Sequence, residues 1–258
     1  MRFAAGVEYD GTHYYGFQQQ SYNQLPTIQQ QLDNAISQIA NHPVSVIAAG
    51  RTDKGVHAKN QVIHFDTSSI RPIRGWLLGI NAYLPKDICI RWIKPVAEDF
   101  HARFSAIART YQYVILNTPT RSALWHQRAT LYYLPLDEKR MREAAQYFIG
   151  EQDFSSFRAA ECQARTPVRK VHYFTVERQK EFITFEVQAN AFLHHMVRNM
   201  TGILLAVGTG KQTVDCIPDI LAFRDRTKAG ITAPPQGLYL TEVIYPDHFG
   251  LNYTKLPI

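Results

Sequence analysis

Gly50-Arg51-Thr52-Asp53-Lys54-Gly55-Val56-His57 sets one carboxylate among two cations and a histidine, between two glycines. A carboxylate held this way can act as a nucleophile, a base or an electrostatic anchor, and the flanking cations suit an anionic substrate. The same string also fits a surface turn in which Asp53 bonds its own backbone while Arg51 and Lys54 stand in water. It is not a phosphate loop of the Gly-Lys-Ser/Thr kind, because Val56-His57 follows Gly55.

The neighbouring segments position this loop. Val44 to Ala49 is an apolar run expected as a buried strand, and Gln61 to Asp66 alternates like a second one. Gly50 and Gly55 are expected to turn the chain sharply, with Asp53 near the apex. Upstream, Phe3 to Tyr9 reads as an opening strand and Asp10 to Asn23 as a long loop. Its Tyr14, Tyr15 and Phe17 suit either base stacking or loop packing. Thr27 with Gln30 marks a helix start, and Ile28, Leu32, Ala35, Ile36 and Ile39 form its apolar face. Pro72 opens a second helix that Pro85 closes, and Ile88 to Ile93 alternates as a strand. The order β-α-β-β-α-β predicts a split βαβ, ferredoxin-like half over residues 1–105.

Residues 106–258 form the second α/β half in this reading. A strand begins at Thr110, Asp137 caps a helix that runs to Gly150, and a hairpin turns at Gln179-Lys180. A helix spans about Phe192 to Val207, a shorter one Ile217 to Phe223, and a last strand Leu238 to Tyr245. His194 and Arg198, four apart, are expected on one helix face with His195 pointing elsewhere, a poor two-histidine metal site; no metal and no cofactor is expected.

Composition bounds the rest. The 258 residues are 45% hydrophobic and 19% charged, an ordinary globular balance, and the net charge of +6 fits a polyanionic partner. The basic excess is spread over both halves rather than gathered in a tail. Three scattered cysteines suit a reducing compartment, and neither a signal peptide nor an apolar run of membrane-spanning length is present, so a cytoplasmic protein with no membrane partner is expected. Arg158, Arg165, Arg169 and Lys170, together with Arg51, Lys54 and Lys59, could give a phosphate-binding track, although any one of them alone reads as a solvated charge.

Gly50-Arg51-Thr52-Asp53, Gly55-Val56-His57-Ala58, Tyr9-Asp10-Gly11-Thr12, Tyr15-Gly16-Phe17-Gln18, Asp99 through Ala106, Asp153-Phe154-Ser155-Ser156-Phe157, Phe192 through Asn199, and Gly237-Leu238-Tyr239-Leu240 together resemble the tRNA pseudouridine synthases of the TruA family. The resemblance covers almost the whole chain. It departs at Lys54, where alanine is often found, and at Thr110, where arginine is. It implies two α/β halves with joined, mainly antiparallel sheets, an active-site cleft between them, and a homodimer. The activity implied is isomerisation of uridine to pseudouridine at positions 38 to 40 of the tRNA anticodon arm, without cofactor. Asp53 takes the place of the family's catalytic aspartate, and Arg198 that of the arginine paired with it. Tyr111 matches the tyrosine that stacks on uracil, though Tyr113 shares its strand face. Arg51 takes an RNA or active-site role, and Leu238 either walls the uracil pocket or fills the core. Two other classes stay open at this point: a non-catalytic RNA-binding module, and a hydrolase of N-glycosidic bonds. The single carboxylate of the loop is a poor match to the two-carboxylate hydrolases.

Overall fold

A computed structural model describes residues 1–19 and 25–251. The last part of the loop expected over Asp10–Asn23 therefore lies outside the described residues. The chain divides into two compact units, one of Met1–Ile107 with Tyr239–Ile258, the other of Ala108–Leu238.

The first unit runs β1 (Arg2–Tyr9), α1 (Ile28–Ala40), β2 (Ile47–Ala48), β3 (His57–Asp66), α2 (Ile73–Tyr83) and β4 (Ile88–Val96), the expected order. β1 lies antiparallel to both β3 and β4, and the short β2 pairs antiparallel with β3. This is the split βαβ arrangement. Thr27 caps α1 as the sequence indicates, its side chain accepting from the Gln30 N–H, and Asn41 ends the helix in the left-handed region. Ile28, Leu32, Ala35 and Ile36 are buried, while Phe3 and Phe65 of the sheet stack on each other and meet the tilted ring of Trp76 from α2, with centroids 5.6–5.7 Å apart.

Two expectations need correction here. The strand expected over Val44–Ala49 is reduced to Ile47–Ala48, with Ile47 exposed, because its backbone is claimed by side chains instead of a ladder: Asp33 accepts from Val46 N–H, Ser37 from Val44 N–H, and Gln29 donates to the Val46 carbonyl. The division at residue 105 also shifts. The break falls after Ile107, and the C-terminal strand groups with the first unit because Tyr239 and Leu240 pair in parallel with His57 and Ala58 of β3.

The second unit contains β5 (Ala108–Asn117), β6 (Thr130–Tyr132), α3 (Glu138–Gln146), β7 (Gly150–Asp153), β8 (Val168–Gln179), β9 (Phe182–Ala189), α4 (Met196–Gly208) and α5 (Cys216–Phe223); β10 (Leu238–Ile244) follows. β5, β9, β8 and β7 form an antiparallel sheet in that order, with β6 parallel to β5. The succession β5-α3-β8-β9 with spatial order β5-β9-β8 repeats β1-α1-β2-β3 with order β1-β3-β2, so the echo between the halves is topological. Lys180 takes a positive φ in the β8–β9 hairpin, where the turn was expected. Phe148, Phe157, Phe174 and Phe185 form the aromatic core.

Two helix boundaries differ from the sequence reading. α3 ends at Gln146 rather than Gly150, which instead opens β7. α4 starts at Met196, four residues late, because His195 sits at φ 61° and cannot continue a helix backwards, so His194 is outside the helix that carries Arg198. Among the described residues no helix is long and apolar enough to cross a membrane.

Candidate active site

The Asp53 loop is held from three sides within the first unit. Thr52, buried at 7% exposure, has its hydroxyl 2.7 Å from the buried Tyr9 hydroxyl, and its carbonyl accepts from Phe17 N–H at 3.0 Å. The buried Gln61 carboxamide brackets Gly50, donating to its carbonyl (2.6 Å) and accepting from its N–H (3.3 Å). Val56 N–H then closes the turn onto the Asp53 carbonyl at 3.1 Å, with Gly55 at φ 76°. Gly55 thus supplies the left-handed turn residue. Gly50 does not have a positive φ and is fixed by Gln61 instead. Asp53 itself is half-buried, carried on a backbone whose neighbours are anchored on both sides.

The wall behind this loop is the segment after β1. A Cβ on Gly16 would come within 2.7 Å of the Thr52 carbonyl oxygen, and one on Gly11 would collide with the Val56 carbonyl. The two loops lie backbone against backbone, an approach open only to glycine. Gly11 N–H donates to Nδ1 of the buried His57 (3.0 Å), with Asp10 Oδ1 3.2 Å from the same atom, and the imidazole stacks on Tyr239 at 4.7 Å. Of the three aromatics weighed for base stacking, Tyr14 and Phe17 are packed inside and Tyr15 is exposed. Lys54 lies over the Tyr15 ring with Nζ 3.8 Å from its centre. Arg51 is exposed and Lys59 half-buried.

The remaining candidates belong to the second unit. Tyr111 is buried at 9% exposure, with Phe192 edge-on to its ring at 5.0 Å. Tyr113, its neighbour on the same strand face, is fully buried and its hydroxyl meets Thr130 Oγ1 (2.6 Å) and the Pro234 carbonyl (2.8 Å). Burial drives the Tyr113 phenol well above its ordinary pKa. It is a core tyrosine, which separates the two candidates. Arg198, in the first turn of α4, is tied twice to Ala233: its Nε donates to the Ala233 carbonyl (2.8 Å) and its carbonyl accepts from Ala233 N–H (3.0 Å). Leu238 is buried at the start of β10.

The basic segment divides. Arg158 donates to the carbonyls of Cys162 (2.6 Å) and Ala164 (2.9 Å), and Arg169 to those of Thr166 (2.9 Å) and Val168 (2.6 Å), so both brace their own loop. Arg165 and Lys170 are exposed.

Residues 5–105 and 144–246 match the family model described as tRNA pseudouridine synthase. The chain belongs to the tRNA pseudouridine synthase family. Relatives named tRNA pseudouridine synthase A include that of Pseudoalteromonas atlantica, 53% identical over 256 residues, 99% of this chain and 97% of the relative. Those of Histophilus somni (53% over 256 residues, 99% and 94%) and Methylococcus capsulatus (54% over 251 residues, 97% and 92%) are similar to a like degree. The synthase family isomerises uridine to pseudouridine in tRNA. Tyr9 and Gln61, which hold the synthase loop, were not singled out from sequence. For Gln61 a signal existed: one carboxamide stands beside the apolar Val62-Ile63 in a strand that buries nearly everything.

Proposed function

We propose that this chain isomerises uridines at positions 38 to 40 of the tRNA anticodon arm, with Asp53 as the reacting carboxylate. The observation carrying this is Asp53 opening a turn whose preceding residues are clamped, Thr52 through its hydroxyl by Tyr9 and through its carbonyl by Phe17, and Gly50 by Gln61. Rigid placement of one charged group is what a covalent or proton-transfer step requires.

The reaction breaks the N1–C1′ bond, turns the uracil, joins C5 to C1′, and releases the C5 proton to water while N1 takes one up. No redox change is involved and no energy input is needed. A carboxylate serves either route, by attacking the substrate covalently or by removing a sugar proton on the way to a glycal. In this reading Arg198 keeps the carboxylate ionised and Tyr111 stacks on the uracil, while Leu238 lines its pocket. The uridine must leave its stack, at a cost of a few kcal/mol, roughly, which backbone contacts have to offset. Arg51, Lys54, Lys59, Arg165 and Lys170 are the proposed phosphate contacts, with Arg158 and Arg169 shaping the loop that presents the last two. The working form is a cytoplasmic homodimer.

The test is tRNA labelled with tritium at uridine C5. Release of label to water with an intact chain, confined to transcripts carrying uridine at 38, 39 or 40, supports the proposal. An abasic site would mean hydrolysis, and binding without release would mean an RNA-binding module.

A further inference from the structure

Arg198 Nε donates to the Ala233 carbonyl, and the segment that carries Ala233 has only two small apolar anchors, the buried Ala229 and Ala233. Ile231, the large apolar side chain of the segment after α5, is 83% exposed. A polar knot adds to that hold. Arg226 Nη2 donates to Asn199 Oδ1 (2.9 Å) and to Thr232 Oγ1 (2.7 Å), its Nη1 donates to the Gly230 carbonyl (2.8 Å), and the Thr232 hydroxyl donates to Asn199 Oδ1 (2.7 Å). Asn199 is fully buried, and its amide donates to the Phe157 carbonyl at 2.8 Å. Asn199 is also the residue after Arg198 in α4, so the knot ties the first turn of the helix to the irregular segment whose Ala233 carbonyl accepts from Arg198. A Cβ on Gly202 would strike the Ile231 carbonyl, so the helix accepts the segment at backbone distance.

We infer that Arg226, acting through Thr232 and Asn199, is the positioning residue for Arg198. The inference rests on the reading that Arg198 takes part in the isomerisation. A planar guanidinium satisfies three acceptors here in fixed directions, which an ammonium does not reproduce. Without it the Gly230–Ala233 backbone is free to drift, and the Ala233 carbonyl no longer fixes the Arg198 Nε.

The experiment compares kcat and KM for tRNA in Arg226→Met, Arg198→Met and the double variant, at a temperature where thermal unfolding shows each to be folded. Arg226→Met is expected to lower kcat by up to about 100-fold, the scale of an ångström-sized misplacement of a reacting group, with KM within about twofold. The double variant should be no slower than Arg198→Met alone, since one substitution acts through the other. Should Arg226→Met fail to fold, Thr232→Val and Thr232→Ser serve instead, the serine keeping activity and the valine losing it. A folded Arg226→Met enzyme of unchanged kcat, additive losses in the double variant, or equal activity of the two Thr232 variants overturns the inference. Full activity in Arg198→Met overturns the underlying role of Arg198, and that single variant reports on it alone.

Discussion

The hydroxyl of Tyr9 meets the hydroxyl of Thr52 at 2.7 Å in a buried contact that joins the first strand to the residue preceding Asp53. A buried hydroxyl stripped of its partner costs about 1–3 kcal/mol. Tyr9→Phe is therefore expected to lower the unfolding free energy by that order and to reduce kcat more than it raises KM. Urea denaturation together with steady-state kinetics on tRNA checks both.

Gly11 and Gly16 allow the loop after β1 to sit against the Asp53 loop. Gly16→Ala adds a methyl group 2.7 Å from the Thr52 carbonyl at a position with φ 90°, so neither the space nor the backbone suits it. A loss of about 1–3 kcal/mol in stability is expected, as for other overpacked sites, together with weakened activity. Gly75→Ala, where the nearest atom to the added Cβ is 3.8 Å away, is the matched control and should be mild.

Asp33 on α1 supports the segment entering the Asp53 loop by accepting from Val46 N–H. Burial pushes its carboxyl up to about 6. Because the folded pKa lies above the unfolded one, the folded state holds its proton while the unfolded state gives it up. Stability is lost as pH rises from about 4 to about 6 and stays lost above. The effect is of order 1–2 kcal/mol once the partial exposure of the side chain is allowed for. Asp33→Asn keeps an acceptor for Val46 and removes the titration. It should melt higher than wild type at pH 7.5 and match it near pH 4, and equal differences at both values would contradict the assignment.

Tyr113→Phe leaves Thr130 and the Pro234 carbonyl short of a partner, costing about 1–3 kcal/mol, but should retain kcat. Tyr111→Ala should do the reverse, losing activity out of proportion to stability. Thermal melts beside single-turnover rates distinguish the two tyrosines.

Periodicity and end signals carried much of the fold: the Thr27 cap, the apolar face of α1, the β8–β9 turn and the order of elements in the first unit were all legible. Those signals are local, and each depends on residues within a turn or two. What escaped depends on contacts distant in sequence. The strand over Val44–Ala49 reads as apolar, but its backbone bonds go to side chains of α1, which no pattern within the strand records. β10 reads as part of the C-terminal half, although its Tyr239 and Leu240 pair with His57 and Ala58 of β3, more than 170 residues away. The late start of α4 depends on one backbone angle at His195. The proposed roles of Asp53, Tyr111 and Arg198 come from the family resemblance, and that of Asp53 also from its loop. Gln61, Tyr9 and Arg226 act by reaching across the fold; Gln61 and Arg226 belong to no chemically suggestive cluster in the chain, and the string that contains Tyr9 gives no sign of its partner Thr52.

The most direct measurement is tritium release from C5-labelled tRNA by Asp53→Asn, with tRNA affinity measured on the same preparation. The substitution keeps the size and bonding capacity of the side chain and removes its charge. The account predicts retained binding with release reduced to the uncatalysed level. Release at the wild-type rate would contradict it.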